Sequence, residues 1–363
     1  MTQARIAASR ILVVRYRFIG DTILTVPFLR NLREAYPDAK IDVLVGPQSG
    51  EVLNSCPYVD ELICFDTTRF HKYDQGEGKA RSFWSYVFEL RKRKYDTAFL
   101  LKRSFSSAML ALLIGCKNRI GYNKGRSFLL THSVEWNQKV HEVESTLDVL
   151  RAVGIPINNT EMEAWITKEE LEETRQLVPE INSSMRKILF HAAAAHPDKT
   201  YPLEHWATMI REMCKDPNVL PFHTGSQQDV ELYEKLASMT GIKAVNAAGK
   251  LTLRQSMALL SQMDLAICTD SGPAHLSAAV GTPTIALFGP TDPERWRPWG
   301  VRHVAIYDET LSCRPCHYKK TCDDKRQCLT ELSPDRVVMT ARSVLAKGGR
   351  AAIEAGEPPA LRQ

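Results

Sequence analysis

The sequence predicts an α/β chain built from two doubly wound parallel sheets, one in each half. Three observations carry this: short apolar runs recur along the chain, most are followed by a stretch of helical period, and the runs are apolar at consecutive positions instead of alternating. Strands covered by helices on both faces read in this way. At 363 residues the chain is long enough for two separate cores.

The first unit opens on ILVVRY (11–16), and the following DTILTVPFLRNLREAYP places Ile23, Val26, Leu29 and Leu32 near helical period. Strands are predicted at 41–46, 61–66 and 97–101, with helices at 84–92 and 105–115. A long amphipathic stretch from His141 ends at Gly154 and closes a domain predicted to span 1–165. After a charged helix at 168–178 the alternation resumes, with strands at 188–193, 219–225, 243–249, 265–269 and 284–289 and helices at 204–214, 228–239, 252–262 and 273–280. This defines a second domain over 185–332. Ser333-Pro334 caps a last helix, 333–347, and the Gly-, Ala- and Pro-rich tail 348–363 is expected to be loose.

Hydrophobic residues at 44% and charged residues at 25% exclude a disordered or fibrous chain. Only four apolar residues precede Arg15 in the opening run, so neither a signal peptide nor a membrane span is expected there, and a cytoplasmic location is. The net charge of +5 is uneven: residues 1–150 hold 22 Lys and Arg against 16 Asp and Glu, and the remainder 25 against 26. The basic clusters Arg91 to Lys94, Lys102-Arg103 and Lys117 to Arg126 could face an anionic partner, or could simply be solvated.

Of nine cysteines, Cys56, Cys64, Cys116, Cys214 and Cys268 lie among apolar neighbours and read as reduced thiols. Cys313, Cys316, Cys322 and Cys328 instead form one run with the count of a tetrahedral thiolate site, for which structural zinc or iron is one reading and thiols packing a loop the other. The spacing lacks the paired C-x2-C knuckles of a zinc ribbon.

In open α/β sheets ligands bind where carboxyl ends of strands meet helix N-termini, so the loops there are the candidates, facing a cleft between the two domains. Strand LAICT runs into Asp270-Ser271-Gly272-Pro273 and then AHLSAAVG, a turn followed by a helix start with free amides, which favours a phosphate. Gly272 admits close approach, Pro273 suits the first helical position, Ser271 adds a hydroxyl, and His275 lies within the first turn. The plainer reading makes Asp270 or Ser271 an N-cap and packs His275 under the loop. Lys199 sits in the loop after 188–193, where an ammonium could neutralise a departing phosphate. The loop after 219–225 offers Ser226 and Gln227 for a ribose or base, and Leu251 follows on the next one. In the first domain, the turn Arg17 to Asp21 is not a G-x-G-x-x-G, so no dinucleotide fingerprint is present. Asp21 there is either an N-cap or a general base toward an acceptor hydroxyl.

Together RYRFIGDTILTVPFLRNLREAYP, the H-x-x-E-x-x-L-x-x-L stretch from His141 to Leu150, TYPLEHWA after Lys199 and DSGPAHLSAAVGTPTIALFGPTDP resemble glycosyltransferase family 9, the ADP-heptose:lipopolysaccharide heptosyltransferases and their relatives. The resemblance spans nearly the whole chain. It implies a GT-B fold and an inverting transfer without catalytic metal, from an ADP-sugar to an anionic glycolipid at the inner membrane face. By position, Asp21 becomes the base, Arg17 and Gly20 the acceptor side, and Lys199, Asp270, Ser271, Gly272 and His275 donor contacts. The chain departs from the first core heptosyltransferases at Ala194 and Ala195, where those have hydroxyl residues, and at Gln227, where they have glutamate. Two rival readings are a GT-B nucleotide-sugar epimerase and a zinc-knuckle nucleic-acid binder. The second is disfavoured because the cysteine run has only Tyr318 as an interleaved aromatic and lies far from the basic clusters.

Overall fold

The computed structural model describes residues 6–16, 18–66, 80–123, 125, 127–300, 302–317, 322 and 326–347. The chain divides into two compact units, Met1–Trp165 and Ile166–Gln363.

In the first unit β1 (Arg10–Val14) is followed by α1 (Ile19–Ile23), α2 (Val26–Ala35), β2 (Lys40–Val45), β3 (Glu61–Cys64), α3 (Phe83–Lys92), β4 (Thr97–Leu100), α4 (Phe105–Leu113), β5 (Asn118–Asn123), β6 (His132–Glu135) and α5 (Glu142–Arg151). All six strands are parallel, in the order β3-β2-β1-β4-β5-β6, with Val13 of β1 opposite both Val43 and Phe99. The order reverses between β1 and β4, so the loop after β1 opens at the switch point where ligands bind in such sheets. Leu12, Val14, Ala98 and Leu100 share one core cluster with Tyr86, Val87 and Leu90 of α3 and Ala108, Leu110 and Ala111 of α4. Helices α3 and α4 therefore cover the same sheet face, while α2 packs against α5.

The second unit begins with α6 (Lys168–Leu177), followed by β7 (Arg186–His191), α7 (Leu203–Met213), β8 (Val219–His223), α8 (Val230–Thr240), β9 (Val245–Asn246), α9 (Leu253–Leu260), β10 (Leu265–Thr269), α10 (Gly272–Ala279), β11 (Thr284–Leu287), α11 (Pro293–Trp296), β12 (His303–Ile306), α12 (Gln327–Thr330) and α13 (Pro334–Ala346). Its strands are again parallel, ordered β12-β11-β10-β7-β8-β9, with the switch point between β7 and β10. Every residue of β10 is buried, which is why its sequence is uninterruptedly apolar up to Thr269. α6 joins this unit through α9: Glu170 takes two hydrogen bonds from Arg254, at 2.7 and 2.8 Å, and also completes a capping box with Thr167. The Ser333 side chain caps α13 with Pro334 at the first helical position, and Val337, Val338, Ala341 and Val344 enter the core of the unit.

The boundaries of most predicted helices fall within about two residues of the sequence reading; the stretch after β1 is split into α1 and α2, α5 ends three residues before Gly154, and α11 and α12 were not anticipated. Strand β9 has two residues where seven were expected, and β5, β6 and β12 were not anticipated. The expected loose tail, 348–363, lies outside the described residues.

Candidate active site

The loops at the carboxyl edge of the second sheet hold a fixed ion pair. Lys199 Nζ lies 2.7 Å from Asp270 Oδ2 and donates to the Asp270 carbonyl at 3.0 Å. These residues come from the loops after β7 and β10, the two strands that flank the switch point. Thr291 Oγ1 donates to the same Oδ2, so the carboxylate is held from both sides of its strand. Asp270 is buried, while the Lys199 side chain keeps 21% of its surface open to solvent.

α10 begins at Gly272, one residue earlier than the sequence predicted, so Pro273 takes the second helical position instead of the first. Ser271 is the N-cap residue by position, yet its side chain makes no capping bond; its hydroxyl donates backward to Thr269 O at 3.1 Å. Nor is Asp270 the cap. The first-turn positive end of α10 is thus left for a ligand instead of being consumed by a local side chain. His275 is buried, its Nδ1 has no hydrogen-bond partner among the described residues, and burial pushes its pKa down to about 4, Lys199 lowering it and Asp270 opposing. It is a neutral imidazole beside the pair.

The predicted ribose and base loop is more occupied than expected. Ser226 donates from both its amide (2.7 Å) and its hydroxyl (2.9 Å) to Asp229, capping a short turn ahead of α8. Gln227 lies against Gly249, where φ is +71° and an added Cβ would collide with the Gln227 amide. Gly249 N donates to Gly225 O at 3.0 Å, which ties this loop to the one that carries Leu251. The Ser226 hydroxyl therefore has a structural duty, and the Gln227 head and Leu251 share one neighbourhood.

In the first unit Asp21 is not an N-cap. Phe18 holds that position, and Asp21 lies inside the first turn of α1 with its side chain 27% exposed. Arg15, the residue after β1, organises the site: Nη2 reaches Glu142 Oε1 at 2.8 Å and Asp21 Oδ1 at 3.6 Å, Nε donates to Asp21 O at 3.1 Å, and Nη1 donates to Leu101 O at 2.6 Å. Burial works against this cation, but the two carboxylates outweigh it and raise the pKa above the ordinary arginine value. Gly20 sits beside Asp21 in α1, and Arg17 lies outside the described residues.

Cys313, Cys316, Cys322 and Cys328 line one small cavity of about 30 Å³, which Asp198 and Arg326 also line. All four are free thiols, and burial pushes Cys328 up to about 11. Among the described residues no three His, Cys, Asp or Glu side chains gather as metal ligands. What the segment does is brace the site. Arg314 donates to Gly289 O (2.6 Å), Thr291 O (3.3 Å) and Asp308 O (2.6 Å), and Arg326 donates to Pro197 O (2.8 Å), two residues before Lys199.

Sequence reasoning missed Arg15, Glu142, Thr291 and Arg314. Arg15, Glu142 and Thr291 all lie inside the family motifs, but nothing local marks their partners.

A model of glycosyltransferase family 9 (heptosyltransferase) matches residues 83–326. The chain belongs to glycosyltransferase family 9. It is similar to the lipopolysaccharide core heptosyltransferase OpsX of Haemophilus influenzae, at 24% identity over 84% of this chain and 86% of that protein. Among solved structures, the family 9 glycosyl transferase from Veillonella parvula superposes with a TM-score of 0.83 at 23% identity, covering 95% of this chain and all of that one. The E. coli heptosyltransferase WaaC with ADP gives 0.71 at 20% identity, covering 92% and 99%. The family 9 chain is a glycosyltransferase of the GT-B class, made of two Rossmann-like units.

Proposed function

We propose that this family 9 enzyme transfers a heptosyl group from ADP-heptose to a hydroxyl of a lipopolysaccharide core acceptor. The observation that carries the reading is the Lys199–Asp270 pair at the open N-terminus of α10, at the switch point of the second sheet. A diphosphate suits that place: an ammonium, the helix dipole and the close approach that Gly272 permits converge on it. The relatives' names, heptosyltransferases and a complex with ADP, point the same way.

The proposed chemistry is a single displacement with inversion. The bond from the anomeric carbon to the diphosphate oxygen breaks as the acceptor oxygen bonds to that carbon, and the acceptor proton passes to the Asp21 carboxylate. Lys199 and the α10 amides take up the charge growing on the leaving diphosphate, so no catalytic metal is assigned. Arg15, through Glu142, Leu101 and the Asp21 carbonyl, fixes where the base stands. The basic excess of residues 1–150 is proposed to draw an anionic glycolipid at the cytoplasmic face of the inner membrane. Among the described residues no helix is long and apolar enough to cross a membrane.

The decisive experiment incubates the protein with ADP-heptose and with other nucleotide sugars, with and without a core glycolipid, and follows ADP release. Acceptor-dependent release from ADP-heptose that persists in EDTA supports the proposal. Donor conversion without acceptor, or release confined to another nucleotide sugar, refutes it.

A further inference from the structure

The exposed large hydrophobic side chains are concentrated in the first unit, and five of them bear on one question. On α3, Trp84 is 57% and Phe88 66% exposed; on α4, Phe105 is 49% and Leu112 41% exposed; Phe128 stands nearby in sequence at 74%. Helices α3 and α4 pack side by side on the same sheet face. Positions 84 and 88 are one helical turn apart, so both rings project from the same side of α3, opposite the buried Tyr86, Val87 and Leu90. The flank of that side is basic. Arg91 and Lys92 are exposed and make no ion pair among the described residues, whereas Glu89 is engaged by Arg81 at 2.6 Å and Arg93 at 3.6 Å. Helix α4, FSSAMLALL, carries no charge at all.

A solvated helix face needs neither ring, and two neighbouring helices that expose apolar side chains beside unpaired cations are unusual on a free surface. Aromatic rings with a basic margin match the boundary between headgroups and acyl chains of an anionic membrane, where rings enter and cations meet phosphates. We infer that the outer face of α3 and α4, led by Trp84, Phe88, Arg91 and Lys92, docks the enzyme onto an anionic lipid surface. Charge complementarity selects this occupant over a second copy of the chain, whose matching face would carry the same positive charge. The inference rests on the proposed function only for its purpose, delivery of the enzyme to a lipid-borne acceptor; the binding itself is independent of it.

The test is flotation of the full chain with phosphatidylcholine vesicles, with and without phosphatidylglycerol, at low and high salt. The wild type is expected to float only with the anionic vesicles. W84S/F88S should lose binding by at least about tenfold, and R91Q/K92Q by roughly 25-fold, about fivefold for each charge. Since all four side chains are exposed, both variants should keep the wild-type melting temperature and release ADP normally with a detergent-free, water-soluble acceptor fragment. Wild-type protein that ignores anionic vesicles, or binding that both variants retain, overturns the inference. So does a lipid-indifferent dimer that W84S/F88S dissolves, which would make the face a contact between copies. A chain that binds vesicles yet moves no sugar would defeat the transfer reading and leave docking standing.

Discussion

Lys199 and Asp270 are 71 residues apart in sequence, yet the ammonium of one touches both the carboxylate (2.7 Å) and the carbonyl (3.0 Å) of the other. The pair staples the loops after β7 and β10 together, and of the two only Lys199 keeps part of its side chain open to solvent.

Replacing Lys199 by alanine should lower kcat/KM by about 10²-fold or more, as for removal of a single donor to developing negative charge. It also leaves Asp270 buried with Thr291 as its one side-chain partner among the described residues. A stability loss of roughly 2 kcal/mol is expected, below the figure for a fully buried pair because Lys199 reaches solvent. Steady-state kinetics and a denaturant titration separate the two effects.

Asp21→Asn should abolish turnover while ADP affinity, measured by calorimetry, stays at the wild-type value, because the nucleotide contacts assigned here all lie in the second unit. Arg15→Met should slow transfer and lower the melting temperature together, since Glu142 would lose its buried partner. An Asp21→Asn enzyme of normal rate would remove Asp21 from the reaction.

Burial holds His275 and His223 near pKa 4 and His303 near 3, all below the ordinary 6.5. The unfolded chain takes up these protons near 6.5 while the folded chain does not. Their contribution to stability is therefore complete above that pH and is lost as the pH falls toward about 4. Melting temperature should decline between pH 7 and 4.5, and His223→Gln, which removes the ring stacked on Tyr233 at 4.4 Å, should give a shallower decline from a lower starting value. A slope that His223→Gln leaves unaltered would assign the loss to other groups.

Arg314→Ala frees the carbonyls of Gly289, Thr291 and Asp308 from their common donor. Because Thr291 also holds Asp270, ADP binding should weaken by about tenfold, on the scale of one hydrogen bond to a charged group. Unchanged ADP affinity in a folded variant would show that the brace and the site are independent.

Much of this architecture was legible because burial on both faces writes a strand as an unbroken apolar run, as in β1, β4 and β10. The missed strands lie toward the margins of their sheets, where burial is partial: β5 reads NRIGYN, β6 HSVE, and only the last residue of β12 is buried. For the site, the turn 270–275 announced itself, since Asp, Ser, Gly and Pro before a small-residue helix have a local physical meaning. Partnerships did not. Arg15 with Glu142, Lys199 with Asp270 and Arg314 with Thr291 join segments brought together only by sheet order, and no local signal encodes them. The N-cap readings of Asp21 and Asp270 failed because the helices start elsewhere: Phe18 precedes α1, leaving Asp21 inside its first turn, and Ser271 holds the position before α10.

The bracing of Pro197 and Thr291 by Arg326 and Arg314 bears on how the protein is made. A nascent chain that has completed β7 through β11 already possesses every strand that borders the donor turn, but the two arginines that steady its rims are still unsynthesised. Sugar-nucleotide binding should mature late, after the ribosome has passed the cysteine segment and released α13, whose Val337, Val338, Ala341 and Val344 complete the core of the unit.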